Sequence, residues 1–154
     1  MNEPTQTARE RFKLIAEVYL LFQRGDEILL SRRANTGYRD GDFGLVSGHV
    51  DGGEPLAEAA CQEALEEAGV QIEPGALILR TVMHRSHGDE DRIGFFFEPS
   101  AWRGEIVNAE PHKCDELTWV RVEALPTNTI GYVREAIRCA REGIAYSAYW
   151  GRDD

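Results

Sequence analysis

The segment Gly48–Val70 (GHVDGGEPLAEAACQEALEEAGV) constrains the fold of this chain most strongly, because it specifies a bend, a helix start and a helix end. Three of its first six residues are glycines, a density that predicts a loop. Pro55 suits the first turn of a helix, and Gly69 suits the left-handed residue that ends one. The segment therefore predicts a glycine-rich loop that leads directly into a helix.

Three glutamates of the predicted helix share one of its faces. Glu63, Glu66 and Glu67 are spaced i, i+3 and i+4. No lysine or arginine occurs between Pro55 and Leu79, and like charges at this spacing cost a helix about 0.2–0.5 kcal/mol per pair. A solvated helix face is the alternative interpretation, but it would normally include lysines. Because all-oxygen ligands favour Mg²⁺, Mn²⁺ or Ca²⁺ over zinc, the cluster predicts a divalent-cation site.

The opposite side of the same helix is apolar. Its small and aliphatic residues recur at i, i+4, i+7, i+8 and i+11, which is typical of a face that packs against a core. The residues of this predicted stripe are Ala57, Cys61, Ala64, Leu65 and Ala68.

The complete segment resembles the Nudix box, whose pattern is G-x5-E-x7-R-E-U-x-E-E-x-G-U, with U a bulky aliphatic residue. Six fixed positions of that pattern are present here at the family spacing: Gly48, Glu54, Glu63, Glu66, Glu67 and Gly69. Two positions depart from it. Ala64 is a small version of the aliphatic residue, and Gln62 replaces the arginine, so that a hydrogen-bond donor remains without its positive charge.

The resemblance implies an α/β fold, a Nudix-type α/β/α sandwich with a mixed central sheet and the catalytic helix after the glycine-rich loop. It implies Mg²⁺, with Mn²⁺ as a substitute, held by Glu63, Glu66 and Glu67. Glu66, Glu67 and Glu116 are the implied catalytic residues, and either Glu66 or Glu116 would be the general base, with Asp115 second to Glu116. Glu54, Gln62 and Gly69 would have structural roles within the motif.

The implied activity is hydrolysis of a phosphoanhydride bond in a nucleoside diphosphate linked to another moiety, with release of a mononucleotide. A nucleoside triphosphate or a small dinucleotide is the expected substrate. The candidate substrate-binding residues are Arg32, Tyr38, Gly48, Phe95, Phe97 and Asn128. Two alternatives stay open: a catalytically weak nucleotide-sensing Nudix domain, supported by Gln62, and a prenyl diphosphate isomerase. The isomerase is disfavoured because it needs a thiol at the pocket, whereas Cys61 is assigned to the core.

Composition restricts the partners. The 154 residues predict one domain over 1–154, with 1–11 as a flexible arm. The net charge of −10 argues against a nucleic-acid polymer as the partner. The small nucleotide expected instead is what the resemblance implies. Three cysteines without a C-x-x-C pair predict reduced thiols in the cytoplasm, and no apolar run is long enough to cross a membrane. The aromatic tail Tyr146–Trp150 packs on the parent domain or forms a homodimer contact.

The remaining pattern predicts strands separated by polar loops. The predicted strands are Phe12–Phe22, Glu27–Arg33, Phe43–Val46, Ala76–His84, Ile93–Glu98 and Thr118–Val122. A closing amphipathic helix is predicted over Ile130–Glu142, and a hairpin arm over Trp102–Ala109. His84–Arg92 is predicted as a charged loop at the rim of the site. Its H-x-x-H spacing favours zinc only weakly, because no cysteine is nearby.

Overall fold

The computed structural model describes residues 9–150. The predicted arm over 1–11 therefore lies largely outside the described residues. The strands are β1 (Ile15–Leu20), β2 (Gln23–Arg24), β3 (Glu27–Arg33), β4 (Phe43–Gly44), β5 (Val46–His49), β6 (Leu77–His87), β7 (Glu90–Pro99), β8 (Cys114–Arg121) and β9 (Tyr146–Tyr149). The two α-helices are α1 (Leu56–Ala68) and α2 (Gly131–Glu142). Neither is long and apolar enough to cross a membrane, as far as the described residues go.

The strands form two sheets. The larger has five strands in the order β5-β1-β7-β6-β9 and is mixed, because β1 runs parallel to β7 and β6 runs parallel to β9. The smaller has four strands, in which β3 pairs antiparallel with β2, β4 and β8. Strand β8 starts at Cys114, four residues before the predicted start at Thr118.

Both faces of strand β1 are covered, which explains its nearly continuous apolar sequence. Val18 and Leu20 belong to a core cluster that also contains the alanines of α1. Tyr19 and Leu21 point the other way, into a cluster with residues of α2. Alternate residues of one strand thus join two cores, one under each helix. This arrangement confirms the predicted α/β/α sandwich with a mixed central sheet.

Helix α1 ends as predicted, but only Ala64 and Ala68 of its predicted apolar stripe are fully buried. Gly69 has φ 70°, and its N–H donates to the carbonyl oxygen of Leu65 at 3.1 Å. Leu65 itself is 48 % exposed, and Ala57 and Cys61 are only partly buried. The fully buried residues are Ala59, Ala60, Ala64 and Ala68. Only small side chains fit between this helix and the sheet, so the larger Leu65 lies at the edge.

Two segments have a structure that differs from their predicted one. His84–Arg92 is not a loop, because β6 and β7 form an antiparallel hairpin that turns at Gly88, with φ 61°. Its polar residues find partners within the sheet, as His84 does with Asp91 across the hairpin and Arg85 with Glu17 of β1, so no apolar alternation marks the strands in the sequence. Trp102–Ala109 forms no hairpin arm and has only an isolated bridge between Gln71 and Arg103. Its backbone instead covers the end of α1, where Val107 N–H donates to the Ala68 carbonyl.

The aromatic tail packs on the domain itself. Residues Tyr146–Tyr149 form strand β9, which extends the larger sheet beside β6. Tyr149 is buried in the core under α2, and Trp150 stacks edge-on against His84 with ring centroids 5.0 Å apart. Of the two predicted positions for the tail, the structure selects the contact with the parent domain.

Candidate active site

A cavity of about 530 Å³ lies between the larger sheet, helix α1 and the loops before β4 and β8. Its walls have opposite charges. Acidic side chains contribute one wall: Glu63, Glu66, Glu67 and Glu110. Basic side chains contribute most of the remaining charged lining: Arg33, Arg85, Arg92 and Lys113, together with one further acid, Glu17. A cavity with this lining accepts a ligand that carries both negative charge and bound cations.

The glycine-rich loop and helix α1 meet at the acidic wall. The backbone N–H of Ser47 donates to Oε2 of Glu67 at 3.1 Å. A methyl group built on Gly48 would overlap the carboxyl group of Glu63. Glycine at this position leaves room for the Glu63 carboxyl, which would have to move if residue 48 carried a Cβ.

Burial without a counter-charge perturbs two of these carboxylates. Burial, together with the negative charges of Glu66 and Glu110, raises the pKa of Glu63 to about 7. Burial also raises the pKa of Glu67 to about 8, against the opposing effect of the Ser47 N–H. Within residues 9–150, neither Glu63 nor Glu67 has an ion pair. Two buried carboxyl groups without an ion pair, such as Glu63 and Glu67, bind either protons or a cation at neutral pH.

The donor chemistry of this wall suits a hard divalent cation, since all the donors are carboxylate oxygens. As the side chains stand in the described part of the chain, no three His, Cys, Asp or Glu side chains are grouped closely enough to hold a metal ion. Gln62, at the position of the family arginine, is exposed and donates from Nε2 to Oε1 of Glu66 at 2.8 Å. Glu54 lies in the loop before α1, and its charge also raises the pKa of Glu63.

Glu110 is an acidic residue of the cavity that was not singled out from the sequence. It lies on a turn, where its N–H donates to Oδ1 of Asn108 at 3.2 Å and its carbonyl accepts from the N–H of Lys113. Its charge raises the pKa of both Glu63 and Glu67. The only sequence signal for this turn is Pro111, and nothing local indicates that the turn faces α1.

Glu116 and Arg32 lie outside the cavity lining and pair with each other. Nη1 of Arg32 lies 3.3 Å from Oε2 of Glu116, and its Nε donates to Oδ1 of Asp115 at 2.6 Å. The neighbouring Arg33 lines the cavity instead. The register with β8 shifts between Arg32 and Arg33, and of the two side chains only that of Arg33 lines the cavity. The acidic residue that lies with the α1 glutamates is therefore Glu110.

The other candidate substrate residues divide between the cavity and the core. Tyr38 and Gly48 line the cavity. Phe95 and Phe97 belong to the core on the α1 side and lie outside the lining. Asn128 also lies outside the lining, and its Nδ2 donates to the carbonyl oxygen of Gly41 at 2.7 Å, which ties down the loop that carries Tyr38.

The two histidines of the H-x-x-H spacing are not brought together. His84 pairs with Asp91, with Nε2 and Oδ2 3.2 Å apart. His87 lies edge-on to the ring of Tyr38, with centroids 5.1 Å apart. Because residues i and i+3 of a strand point to opposite faces, their separate partners are the expected outcome.

Comparison with known proteins identifies the family. The family model for the NUDIX domain matches residues 12–138. NudC, an NAD-capped RNA hydrolase of Stutzerimonas stutzeri, is 30 % identical over 114 residues, which cover 74 % of this chain and 39 % of that protein. NudC of Escherichia coli strain SMS-3-5 is 29 % identical over 120 residues, or 77 % of this chain and 44 % of that protein. The chain thus spans about two fifths of the length of these curated relatives.

Solved structures give the same family. The MutT NUDIX hydrolase of Burkholderia pseudomallei has a TM-score of 0.74 and 26 % identity, and the alignment covers 82 % of this chain and 97 % of that one. The MutT protein of Methanosarcina mazei has a TM-score of 0.71 and 25 % identity, with 86 % and 97 % covered. With four residues of the box, Gly48, Glu63, Glu66 and Glu67, gathered at one cavity, these matches show that the chain belongs to the Nudix family.

Proposed function

We propose that this protein catalyses the Mg²⁺-dependent hydrolysis of a phosphoanhydride bond in a nucleoside diphosphate linked to another moiety, with release of a mononucleotide. The observation that carries the proposal is the pair Glu63 and Glu67, two carboxylates without an ion pair in the described chain that face a cavity lined elsewhere by arginines. A phosphoanhydride with bound divalent cations has the complementary charges.

Glu63 and Glu67, assisted by Glu66, would hold Mg²⁺ or Mn²⁺. When bound, the ion would neutralise charge on the diphosphate and lower the pKa of an attacking water. The absence of a side chain at Gly48 supports this assignment, because it lets the Glu63 carboxyl lie against the loop. Gly48 is thus a positioning residue in the proposed site.

Glu110 is our proposed general base. A base must keep an accepting oxygen within reach of the attacking water. Glu116 is held by Arg32, outside the cavity, and Glu66 accepts a hydrogen bond from Gln62. Glu110 lines the cavity, and within residues 9–150 its carboxylate has no ion pair. Glu110 would take the proton while Arg33 and Lys113 neutralise the phosphoryl oxygens.

The proposed substrate is a small nucleotide. The curated relatives carry the name NAD-capped RNA hydrolase, but this chain matches only part of their length. Its net charge of −10 disfavours a polymer of phosphates, which needs an extended basic surface. The three cysteines are free thiols, as a reducing compartment favours, so we place the enzyme in the cytoplasm.

The test is a product assay on the purified chain. Nucleoside di- and triphosphates, ADP-ribose, NADH, dinucleoside polyphosphates and an NAD-capped RNA are incubated with Mg²⁺ or with EDTA. We expect release of a mononucleotide from a small substrate only with Mg²⁺. Tight binding without release would support the sensing domain instead, and cleavage of the capped RNA alone would overturn the choice of substrate.

The matched variants are Glu67→Gln and Glu58→Gln. Both remove one carboxylate from α1, but Glu58 is exposed in the first turn and lies outside the cavity lining. We expect Glu67→Gln to lower turnover by orders of magnitude, whereas Glu58→Gln retains it. Equal turnover in the two variants would contradict the assignment of Glu67 as a ligand.

A further inference from the structure

The cavity contains a second charged cluster, away from the Nudix box. It is centred on Glu17 of β1, a 7 % exposed carboxylate. Nη2 of Arg85 donates to its Oε1 at 3.2 Å, and Nη1 of Arg92 donates to its Oε2 at 3.2 Å. His49 Nε2 lies 3.4 Å from the same Oε2. The sheet register creates this cluster, because Arg85 pairs with Arg92 across the hairpin and β1 runs beside β7.

The cluster carries more positive than negative charge. Two guanidinium groups, whose side chains are 4 % and 16 % exposed, share the single buried carboxylate of Glu17. The other acid that contacts Arg92 is Glu90, which is 52 % exposed and lies outside the cavity lining. A buried excess of positive charge is costly unless an anion compensates it.

Three buried donor atoms of the cluster and its surroundings have no hydrogen-bond partner in the described chain: Nη1 of Arg85, Nε of Arg92 and the hydroxyl of Tyr38. All three residues line the cavity. Buried donors are nearly always satisfied in native proteins, so three unpaired donors around one cavity indicate a missing acceptor.

Stacking of a nucleobase does not explain the cluster. The guanidinium carbon of Arg85 lies 3.9 Å from the centroid of the Tyr132 ring. The ring of Tyr19 stacks on Phe96 with centroids 4.4 Å apart. Each of these two aromatic rings therefore already has a partner against it, and the unpaired groups are all donors.

We propose that Arg85, Arg92 and Tyr38 form an anion subsite that binds a phosphate or carboxylate group of the substrate other than the diphosphate held at the acidic wall. This inference rests on the proposed function and narrows its substrate class. Substrates with an additional phosphate, such as nucleoside triphosphates, dinucleoside polyphosphates or NADPH, are preferred over matched compounds without one, such as NADH and ADP-ribose.

The primary test measures anion binding without metal. Calorimetric titrations of inorganic phosphate and pyrophosphate are made in EDTA, so that no metal ion binds the anion. Because Arg33 and Lys113 also line the cavity, the contribution of the subsite is read from its own variants. We expect wild-type protein to bind, and Arg85→Gln to weaken binding about tenfold, the effect of losing one charge-assisted hydrogen bond. Arg103→Gln is the matched control, because Arg103 is 72 % exposed and pairs with Glu73 on the surface.

Tyr38→Phe keeps the test decisive if Arg85→Gln does not fold. It removes a hydroxyl that has no partner in the described structure, so the fold loses no hydrogen bond there. We expect weaker anion binding with unchanged thermal stability. Wild-type protein that does not bind phosphate or pyrophosphate, or binding that Arg85→Gln and Tyr38→Phe leave unchanged, would overturn the subsite.

A kinetic comparison identifies the source of the anion. NADPH against NADH tests a phosphate on ribose, and ATP against ADP tests an additional phosphate in the chain. We expect Arg85→Gln to raise KM for the preferred member of a pair about tenfold while kcat changes less. Equal KM changes for both members of both pairs would contradict the subsite. Phosphate binding in EDTA does not depend on turnover. A protein that binds phosphate through Arg85 but hydrolyses no nucleotide would therefore refute the proposed function and leave the subsite standing.

Discussion

The metal-free protein should gain stability when Glu67 is replaced by glutamine. Its carboxyl has a pKa of about 8 in the folded state, against 4.5 for the ordinary group. Because the folded state binds this proton more tightly, Glu67 stabilises the fold only at low pH. The contribution is lost as the pH rises from 4.5 through about 8. The amide of Glu67→Gln cannot ionise, so it avoids this loss and can still accept from the Ser47 N–H.

The size of the gain in unfolding free energy follows from the raised pKa of Glu67. A solution at pH 7 is 2.5 pH units above the ordinary pKa of 4.5. At 1.36 kcal/mol per unit, the folded state of the wild type has by then lost roughly 3 kcal/mol of unfolding free energy. Solvent screening in an open cavity reduces this to about 2 kcal/mol. For a domain of this size, we expect Glu67→Gln to raise Tm by about 4–8 °C at pH 7. The gain should nearly vanish at pH 5.

Thermal denaturation in EDTA, followed by circular dichroism between pH 5 and pH 8, measures this gain. Glu105→Gln is the control, since Glu105 is exposed and should show no pH-dependent difference from wild type. Saturating Mg²⁺ should stabilise wild type and narrow its difference from Glu67→Gln. A variant no more stable than wild type at pH 8, or a gain of equal size at pH 5, would refute the reasoning.

Three further substitutions test the proposed roles. Glu110→Gln should lower kcat by about 10²–10⁴-fold, whereas Glu116→Gln should retain it; steady-state kinetics showing the reverse order would restore Glu116 as the base. Gly48→Ala should displace the carboxyl of Glu63 and weaken Mg²⁺ binding in calorimetry by about tenfold or more, with little change in Tm; unchanged Mg²⁺ affinity would contradict the overlap. Gln62→Arg should preserve or raise turnover, and a large loss would show that the family arginine has no role here.

The box could be predicted because its signals are local. The spacing of Glu63, Glu66 and Glu67 places them on one helix face wherever the helix packs. Gly69 ends that helix for reasons of backbone conformation alone. The residue pattern of the helix does not show how closely the sheet approaches it. Leu65 was therefore predicted to be buried, although it lies at the edge of the contact between helix and sheet.

The rest of the cavity could not be predicted, because it depends on long-range register. Glu110 faces α1 through a turn more than forty residues later in the chain. Arg33 lines the cavity and Arg32 does not. Two adjacent arginines in a sequence give no sign of which one faces the cavity, since this depends on how β3 pairs with β8. Arg85 and Arg92 were assigned to a loop, although the hairpin places them side by side on neighbouring strands.

The opposite charges of the cavity walls make metal and anion binding mutually dependent. Without a cation, the ionised fraction of Glu63 and Glu67 repels any phosphate that approaches Arg85, and this fraction grows as the pH rises through 7 to 8. A bound cation removes that repulsion, and a bound phosphate in turn favours the cation, so each ligand must raise the affinity for the other by the same factor. The raised pKa values of the two glutamates, caused first by burial and then by neighbouring negative charges, express the same preference for a positive charge, here a proton in place of the metal. The proposed site would therefore bind phosphate most tightly when the cation is present as well.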